Sequence, residues 1–174
     1  MDSLLIVLAL AAVLLRLVTV ALSKRNEGRL RRAGAVEHGA GNSRLLALSH
    51  ALFYAAAMGE GWARDAAFDA VSAVGLALYL ASMLALAVVV RLLGRFWTIK
   101  LLIARDHVLV TNRLFRLVRH PNYFLNLLPE LVGLALLFHA PLTLAVGLPL
   151  YLVPLAWRIR QEEAAMQARF ASYR

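Results

Sequence analysis

Long apolar runs dominate the hydrophobic pattern of this chain. The first spans residues 4–22, the second spans 45–58 and reaches as far as 62, and the third spans 68–93. A fourth and a fifth run fill residues 123–157 and are separated by His139-Ala140-Pro141. About 20 apolar residues cross the core of a bilayer, so the pattern predicts an all-α integral membrane protein with about five transmembrane helices. The last two, each short for a straight span, are expected to form a tight helical hairpin.

The segments between these runs differ in character. Residues 23–43 contain four glycines and predict a helical turn followed by coil. Residues 96–111 are rich in β-branched and aromatic side chains and predict short extended pieces near the membrane surface. The tail, residues 157–173, predicts a charged amphipathic helix. Acidic Asp2 precedes the first run and basic residues follow it, the reverse of a signal peptide, so we expect a retained membrane helix.

Composition and charge support the membrane assignment. The chain is 61% hydrophobic and 17% charged, which is unlike a soluble or a disordered protein. The net charge is +9, and all but two of the 19 Lys and Arg residues fall in the three segments that alternating helices place on one side. The exceptions are Arg64 and Arg16, and we expect Arg16 to snorkel from the first helix to the interface. The positive-inside rule makes the basic side cytoplasmic and the N-terminus external, as in a bacterial inner-membrane protein, without invoking nucleic acid.

Several kinds of chemistry are excluded by what the sequence lacks. There is no cysteine, so disulfides and thiolate metal ligands are ruled out. The five histidines have no metal-ligand spacing, and no P-loop, G-x-G-x-x-G or G-x-S-x-G motif occurs. We therefore expect no metal site.

Polar residues at unusual depths carry most of the remaining information. Glu130 lies inside the fourth apolar run, one turn after Asn126, which indicates either a functional polar cavity or a residue that holds helices together. Arg158 and Glu162 share one face of the tail helix. They form either a solvated ion pair or two contacts for a zwitterionic ligand, while Gln161 and Glu163 are expected to face solvent.

The run Arg119-His120-Pro121-Asn122-Tyr123 opens the fourth predicted helix. Proline suits a first helical position, and a helix N-terminus attracts anions. Arg119 adds a permanent cation and His120 a tunable donor. The run therefore indicates either an anion site at the cytoplasmic interface or an ordinary capped helix with interfacial side chains.

Two separated motifs together resemble a known family. The stretch His107-Val108-Leu109-Val110-Thr111, Phe115 and the run 119–123 resemble the signature of isoprenylcysteine carboxyl methyltransferases and their bacterial relatives. The tail, with Arg158, Glu162-Glu163, Phe170 and Tyr173, is similar to the family's R-x-x-x-E-E ending. The resemblance covers roughly the last 80 residues, and Leu125 departs from it because the family usually has glycine there.

This resemblance implies a membrane methyltransferase that uses S-adenosylmethionine in a cytoplasmic pocket. We expect one domain of residues 1–174, in which 1–93 supply three helices and 94–174 supply the cofactor-binding region, the hairpin and the C-terminal helix. The implied cofactor-binding residues are His107, Val108, Leu109, Val110, Phe115, His120, Pro121, Asn122, Tyr123 and Glu162.

The expected reaction is methyl transfer to an oxygen of a lipophilic acceptor. Methyl transfer needs alignment and exclusion of water more than acid–base groups. Arg158 or Arg119 would orient a carboxylate or a phenolate, and Glu130 with Asn126 would line or close a lateral entry route, so Arg158, Arg119 and Glu130 are the catalytic candidates. The acceptor remains open between a prenylated cysteine carboxylate, another isoprenoid acid, and a phenolic or pyrone lipid.

Two other functions remain open at this point. Membrane sterol and steroid reductases that use NADPH also contain an R-H-P-N-Y-F run. The third hypothesis is a non-catalytic membrane scaffold or transport subunit. The effect of S-adenosylmethionine and of NADPH on the melting temperature distinguishes the three functions, because a ligand that binds the native state stabilises it.

Overall fold

The computed structural model describes residues 1–104 and 112–169, and this part of the chain is mostly helical. The helices are α1 (Ser3–Arg32), α2 (Ala40–Ala63), α3 (Ala70–Leu93), the short α4 (Arg113–Leu117), α5 (Leu128–Leu137) and α6 (Leu148–Arg169). π-Helical turns precede α5 at Asn122–Leu127 and α6 at Thr143–Gly147, and a 3₁₀ turn follows α3 at Gly94–Phe96. Two short strands, β1 (Val36–His38) and β2 (Leu101–Ile103), pair antiparallel.

Local sequence explains where several helices begin. The Asp2 carboxylate accepts a hydrogen bond from the Leu5 amide at 2.8 Å, and the Asp69 carboxylate accepts one from the Ser72 amide at 2.9 Å. Each aspartate thereby satisfies a backbone donor that the first helical turn leaves free. Asn112 caps α4 in the same way.

The mainly helical prediction is confirmed, and two helices are long and apolar enough to cross a membrane: Ser3–Arg32 and Ala70–Phe96. The helix at Asn122–Leu137 is apolar but shorter. The number of membrane spans therefore stays a prediction.

The structure corrects the expectation of coil in residues 23–43. Helix α1 continues to Arg32 because its last turns have polar partners: Ser23 Oγ accepts from the Ile99 amide at 2.9 Å, and Asn26 Nδ2 donates to the Trp97 carbonyl at 2.9 Å. Beyond it, β1 pairs with β2, so the protein is not purely α-helical. The extended structure expected in residues 96–111 is confirmed at β2.

Helix α5 packs closely against α3 through two glycines. A Cβ atom on Gly75 would lie 2.3 Å from the Leu137 amide nitrogen, and one on Gly133 would lie 2.7 Å from the Tyr79 amide nitrogen. The two backbones therefore approach to a distance that only glycine permits, as in many membrane helix pairs.

The expected hairpin has its turn at residues 138–140, one residue before the predicted break at 139–141. Its two arms have different main neighbours, since α5 packs chiefly on α3 and α6 chiefly on α2. This division leaves a cavity between α1, α2, the start of the fourth apolar helix and α6.

The loops gather at two opposite ends of the helices, as alternating helices require. At one end the Asp2 amide donates to the Ala66 carbonyl at 3.0 Å, and the Thr143 amide donates to Glu60 at 2.8 Å. At the other end lie the β1–β2 sheet, residues 94–104, the start of the fourth apolar helix and the end of α6.

Candidate active site

The site is built around the π-helical turn Asn122–Leu127. Pro129 has no N–H to donate to the preceding turn, and the Leu128 amide donates to the Tyr123 carbonyl five residues back. Such π turns are rare in proteins, and those that do occur often lie at functional sites. Here the turn and the helix after it carry Tyr123, Asn126 and Glu130, all three of which are buried.

The Tyr123 hydroxyl joins the two polar residues of the tail helix. Arg158 Nε donates to this hydroxyl at 3.2 Å, and the hydroxyl donates to the Glu162 carboxylate. Only 4% of Arg158 is exposed, and its other donors reach Ser43 Oγ at 2.7 Å and the Ile99 carbonyl at 2.9 Å. The solvated ion pair considered from the sequence is therefore wrong: Arg158 is a buried guanidinium that meets Glu162 through Tyr123.

His120 lies between the two tail glutamates. Its Nε2 is 3.2 Å from Glu163 Oε1, and its buried Nδ1, which has no hydrogen-bond partner among the described residues, is 3.7 Å from Glu162 Oε1. Burial alone would lower the pKa of His120, but the two carboxylates outweigh it and raise that pKa above 6.5. Burial likewise opposes charging of Glu162, yet His120 and the Tyr123 hydroxyl hold its pKa below 4.5.

The expectation that Gln161 and Glu163 face solvent is wrong. Glu163 is only partly exposed and contacts His120. Gln161 Oε1 accepts a hydrogen bond from Asn42 Nδ2 at 3.3 Å. The Gln161 side chain also lies against Gly39, which precedes α2 and has a positive φ of 62°. Both side chains therefore tie α6 to its neighbours.

The other residues predicted for the site differ in how close they lie to Arg158 and Glu162. Arg119 is exposed, with a guanidinium nitrogen 3.9 Å from Glu163 Oε1, so it borders the His120–glutamate cluster rather than Arg158. Asn122 Oδ1 accepts from Trp97 Nε1 at 3.4 Å, Pro121 starts the helix and Phe115 is half-buried in α4. The predicted residues 107–111, 170 and 173 lie outside the described part of the chain.

Glu130 is fully buried and fully engaged. It forms an ion pair with Arg16, whose Nε donates to Oε1 at 2.7 Å, and it accepts a hydrogen bond from Tyr54. His50 Nε2 lies 3.5 Å from the same carboxylate. Arg16 therefore does not snorkel, because its counter-charge lies inside the helix assembly. The catalytic role of Glu130 stays a prediction.

A cavity of about 120 Å³ lies between Arg158 and this ion pair. Its polar boundary includes Arg158 and Tyr123 at one end and Arg16, His50 and Tyr151 at the other, with Asn126 between them. Its apolar boundary includes Val20, Leu46, Trp97 and Leu127. A buried guanidinium at the edge of a mostly apolar cavity can hold and orient an anionic oxygen away from water.

No group of three or more metal-ligating side chains occurs in residues 1–104 and 112–169. Arg158 and Arg16 both line the cavity, and Arg16 is already paired with Glu130.

Sequence reasoning missed several residues that complete this arrangement. Ser43 and Ile99 hold the Arg158 guanidinium, and Arg16, His50 and Tyr54 surround Glu130. One signal was present: His50 and Tyr54 are polar residues spaced four apart within an apolar run, so they share one helix face.

The model of the isoprenylcysteine carboxyl methyltransferase (ICMT) family matches residues 73–168, more than half of the chain. The chain therefore belongs to this family, which indicates a membrane O-methyltransferase.

Two relatives show how far the similarity extends. An uncharacterized protein of Haemophilus influenzae is 42% identical over 156 residues, which cover 90% of this chain and 91% of that protein. The uncharacterized protein YpbQ of Bacillus subtilis is 27% identical over 156 residues, which cover 87% of this chain and 90% of YpbQ. No solved structure matches the chain.

Proposed function

We propose that the protein transfers a methyl group from S-adenosylmethionine to an oxygen of a lipophilic acceptor, a carboxylate or a phenolate or enolate, at the membrane interface. The observation that carries this proposal is the shared Tyr123 hydroxyl, which places the buried Arg158 guanidinium next to the Glu162 carboxylate. A group that orients an acceptor oxygen thereby adjoins a group suited to the donor.

The residues present fit the donor. S-Adenosylmethionine carries an ammonium group and ribose hydroxyls that donate hydrogen bonds, and Glu162 is a carboxylate that is partly open to solvent. The buried His120 Nδ1 has hydrogen-bonding capacity that no described residue uses. We therefore assign donor binding to His120, Pro121, Asn122, Tyr123 and Glu162, joined by Phe115 and by residues 107–110. When bound, the cofactor supplies an electrophilic methyl group on a sulfonium sulfur.

Arg158 is the main residue that orients the acceptor. Its guanidinium is fixed by Ser43, Ile99 and Tyr123, so it orients an anionic oxygen without reorganisation. The apolar walls of the cavity exclude water, which would otherwise solvate that oxygen and weaken its reaction with a sulfonium. Exposed Arg119, beside Glu163, would attract anions at the cytoplasmic face.

The exterior of the helices supports a lipid environment. Large apolar side chains are exposed along α1, α3 and α6, among them Leu10, Leu84 and Val153. Exposed apolar side chains along several helices favour contact with lipid. We propose five membrane-spanning segments, with the basic end, the active site and the C-terminus in the cytoplasm of a bacterial cell and the acceptor entering laterally.

Thermal unfolding of the purified protein with each cofactor tests the proposal. S-Adenosylhomocysteine at about 100 times its dissociation constant stabilises a protein by about 2.7 kcal/mol. At about 2–4 °C per kcal/mol this raises Tm by about 5–11 °C. A rise with NADPH instead would assign the protein to the reductases, and no rise with either would favour a scaffold.

A further inference from the structure

Asn126 lacks the partners that a buried amide requires. It is 0% exposed, and neither its Oδ1 nor its Nδ2 has a hydrogen-bond partner among the described residues. An amide buried without a hydrogen bond destabilises a protein, so such groups are rare in native structures unless they have another use. Asn126 borders the cavity next to Arg158.

The neighbouring polar groups have partners, apart from His50 Nε2. Arg16 pairs with Glu130, and His50 Nδ1 lies 3.3 Å from the Tyr151 hydroxyl. His50 Nε2 has no hydrogen bond, but Glu130 Oε1 is 3.5 Å away. Among the described residues that line the cavity, Asn126 is the buried side chain whose donor and acceptor both lack a partner.

Helix geometry gives the depth of this group. Asn126 follows Tyr123 by three residues in the π-helical turn, so it lies at most about 4.5 Å further along the axis at about 1.5 Å per residue. Because Arg158 contacts Tyr123 and both line the cavity with Asn126, a head group held by Arg158 can extend along the cavity toward Asn126. The cavity volume of about 120 Å³ suits such a head group rather than a long chain.

Building on the proposed function, we propose that Asn126 is a specificity residue for the acceptor. It recognises a second polar group, one that donates or accepts a hydrogen bond and lies deeper in the cavity than the oxygen that is methylated. The acceptor class is then an amphiphile whose head carries two polar functions, such as an amide beside a carboxylate or a second hydroxyl on a phenol.

Two matched pairs of acceptors test this inference with the full-length protein in lipid nanodiscs. The first pair is N-acetyl-S-farnesylcysteine and S-farnesylthiopropionate, which differ only in the acetamido group. The second is an alkylresorcinol and the corresponding alkylphenol. Methyl transfer is measured with radiolabelled S-adenosylmethionine, and donor binding is measured separately with S-adenosylhomocysteine.

We expect the wild type to prefer the member with two polar functions in at least one pair, by about tenfold in kcat/KM, which is the effect of one good hydrogen bond. Asn126→Leu abolishes this preference without lowering donor binding or Tm, because it removes an unpaired buried amide. Asn126→Ser, which shortens the side chain, serves as a second variant if leucine does not fit. The control Leu46→Ala changes an apolar part of the same cavity and affects both members of a pair alike.

Three results overturn the inference. The first is an unchanged preference in both Asn126 variants. The second is a wild type that binds S-adenosylhomocysteine but distinguishes the members of neither pair, which refutes this inference alone. The third is a wild type that does not bind S-adenosylhomocysteine, which refutes the proposed function and the inference with it.

Discussion

Replacing Glu130 by glutamine leaves Arg16 inside the helix assembly without its counter-charge. The carboxylate is 0% exposed and the Arg16 side chain is 16% exposed, so water compensates little for the loss. Tyr54 also loses its charged acceptor. The variant keeps the size of the side chain, so the effect on stability reports the charge and not a cavity.

The magnitude follows from the burial of the pair. Breaking a buried ion pair by removing one partner costs about 3–5 kcal/mol. We take the lower end, about 3 kcal/mol, because an unpaired Arg16 can turn its long side chain toward the interface. At about 2–4 °C per kcal/mol, Tm falls by about 6–12 °C.

Thermal unfolding in nanodiscs measures this effect, with Arg64→Gln as the matched control. Arg64 forms an exposed ion pair with Glu60, so its loss changes stability by at most about 1 kcal/mol. The double variant Arg16→Met/Glu130→Gln recovers most of the lost stability, because no unpaired buried charge remains.

An effect of Glu130→Gln no larger than that of Arg64→Gln would refute the account of the buried pair. The same variant tests the proposed catalytic role of Glu130. If donor binding and turnover are both unchanged, Glu130 is not a catalytic residue and does not line the acceptor route.

Three further predictions concern other parts of the molecule. The Tm advantage of wild type over His120→Gln is largest below about pH 6.5 and is lost as the pH rises through the raised pKa of His120, as a pH series of melts would show. Gly133→Leu forces α5 away from the Tyr79 backbone and lowers Tm by at least about 2–4 °C, from an overpacking cost of about 1–3 kcal/mol. Arg158→Lys lowers turnover about tenfold or more while S-adenosylhomocysteine binding changes less, because an ammonium cannot keep all three guanidinium contacts.

Each of these predictions has a result that would contradict it. A His120 effect that grows with pH would mean that the neutral imidazole is the stabilising form. A fully stable Gly133→Leu protein would show that α3 and α5 do not touch as described. Equal losses of donor binding and turnover in Arg158→Lys would place Arg158 on the donor side.

Local sequence was sufficient to predict most of the helices. The apolar runs predicted the helices, because the length and hydropathy of a segment are properties of its local sequence. The family resemblance joined the run 119–123 to the tail glutamate, and in the structure the Tyr123 hydroxyl donates to Glu162. Their role in donor binding stays a prediction.

The tertiary partners could not be read from local sequence. Arg16 and Glu130 lie 114 positions apart, and nothing near Arg16 indicates that it pairs rather than snorkels. The partners of Arg158 are a serine and a backbone carbonyl, neither of which has a sequence signature. The β1–β2 pairing likewise depends on two loops that meet only in the folded protein.

The central claim is that Glu162 and its neighbours bind the methyl donor. Isothermal titration of the detergent-purified protein with S-adenosylhomocysteine, for wild type, Glu162→Ala and the adjacent Glu163→Ala, tests it most directly. We predict that the wild type binds S-adenosylhomocysteine and that Glu162→Ala lowers its affinity about tenfold to a hundredfold. This is the effect of losing one charge-assisted hydrogen bond of about 1.5–3 kcal/mol. Glu163→Ala should lose less. A folded wild type that does not bind, or a Glu162→Ala variant that binds as wild type does, would contradict the account.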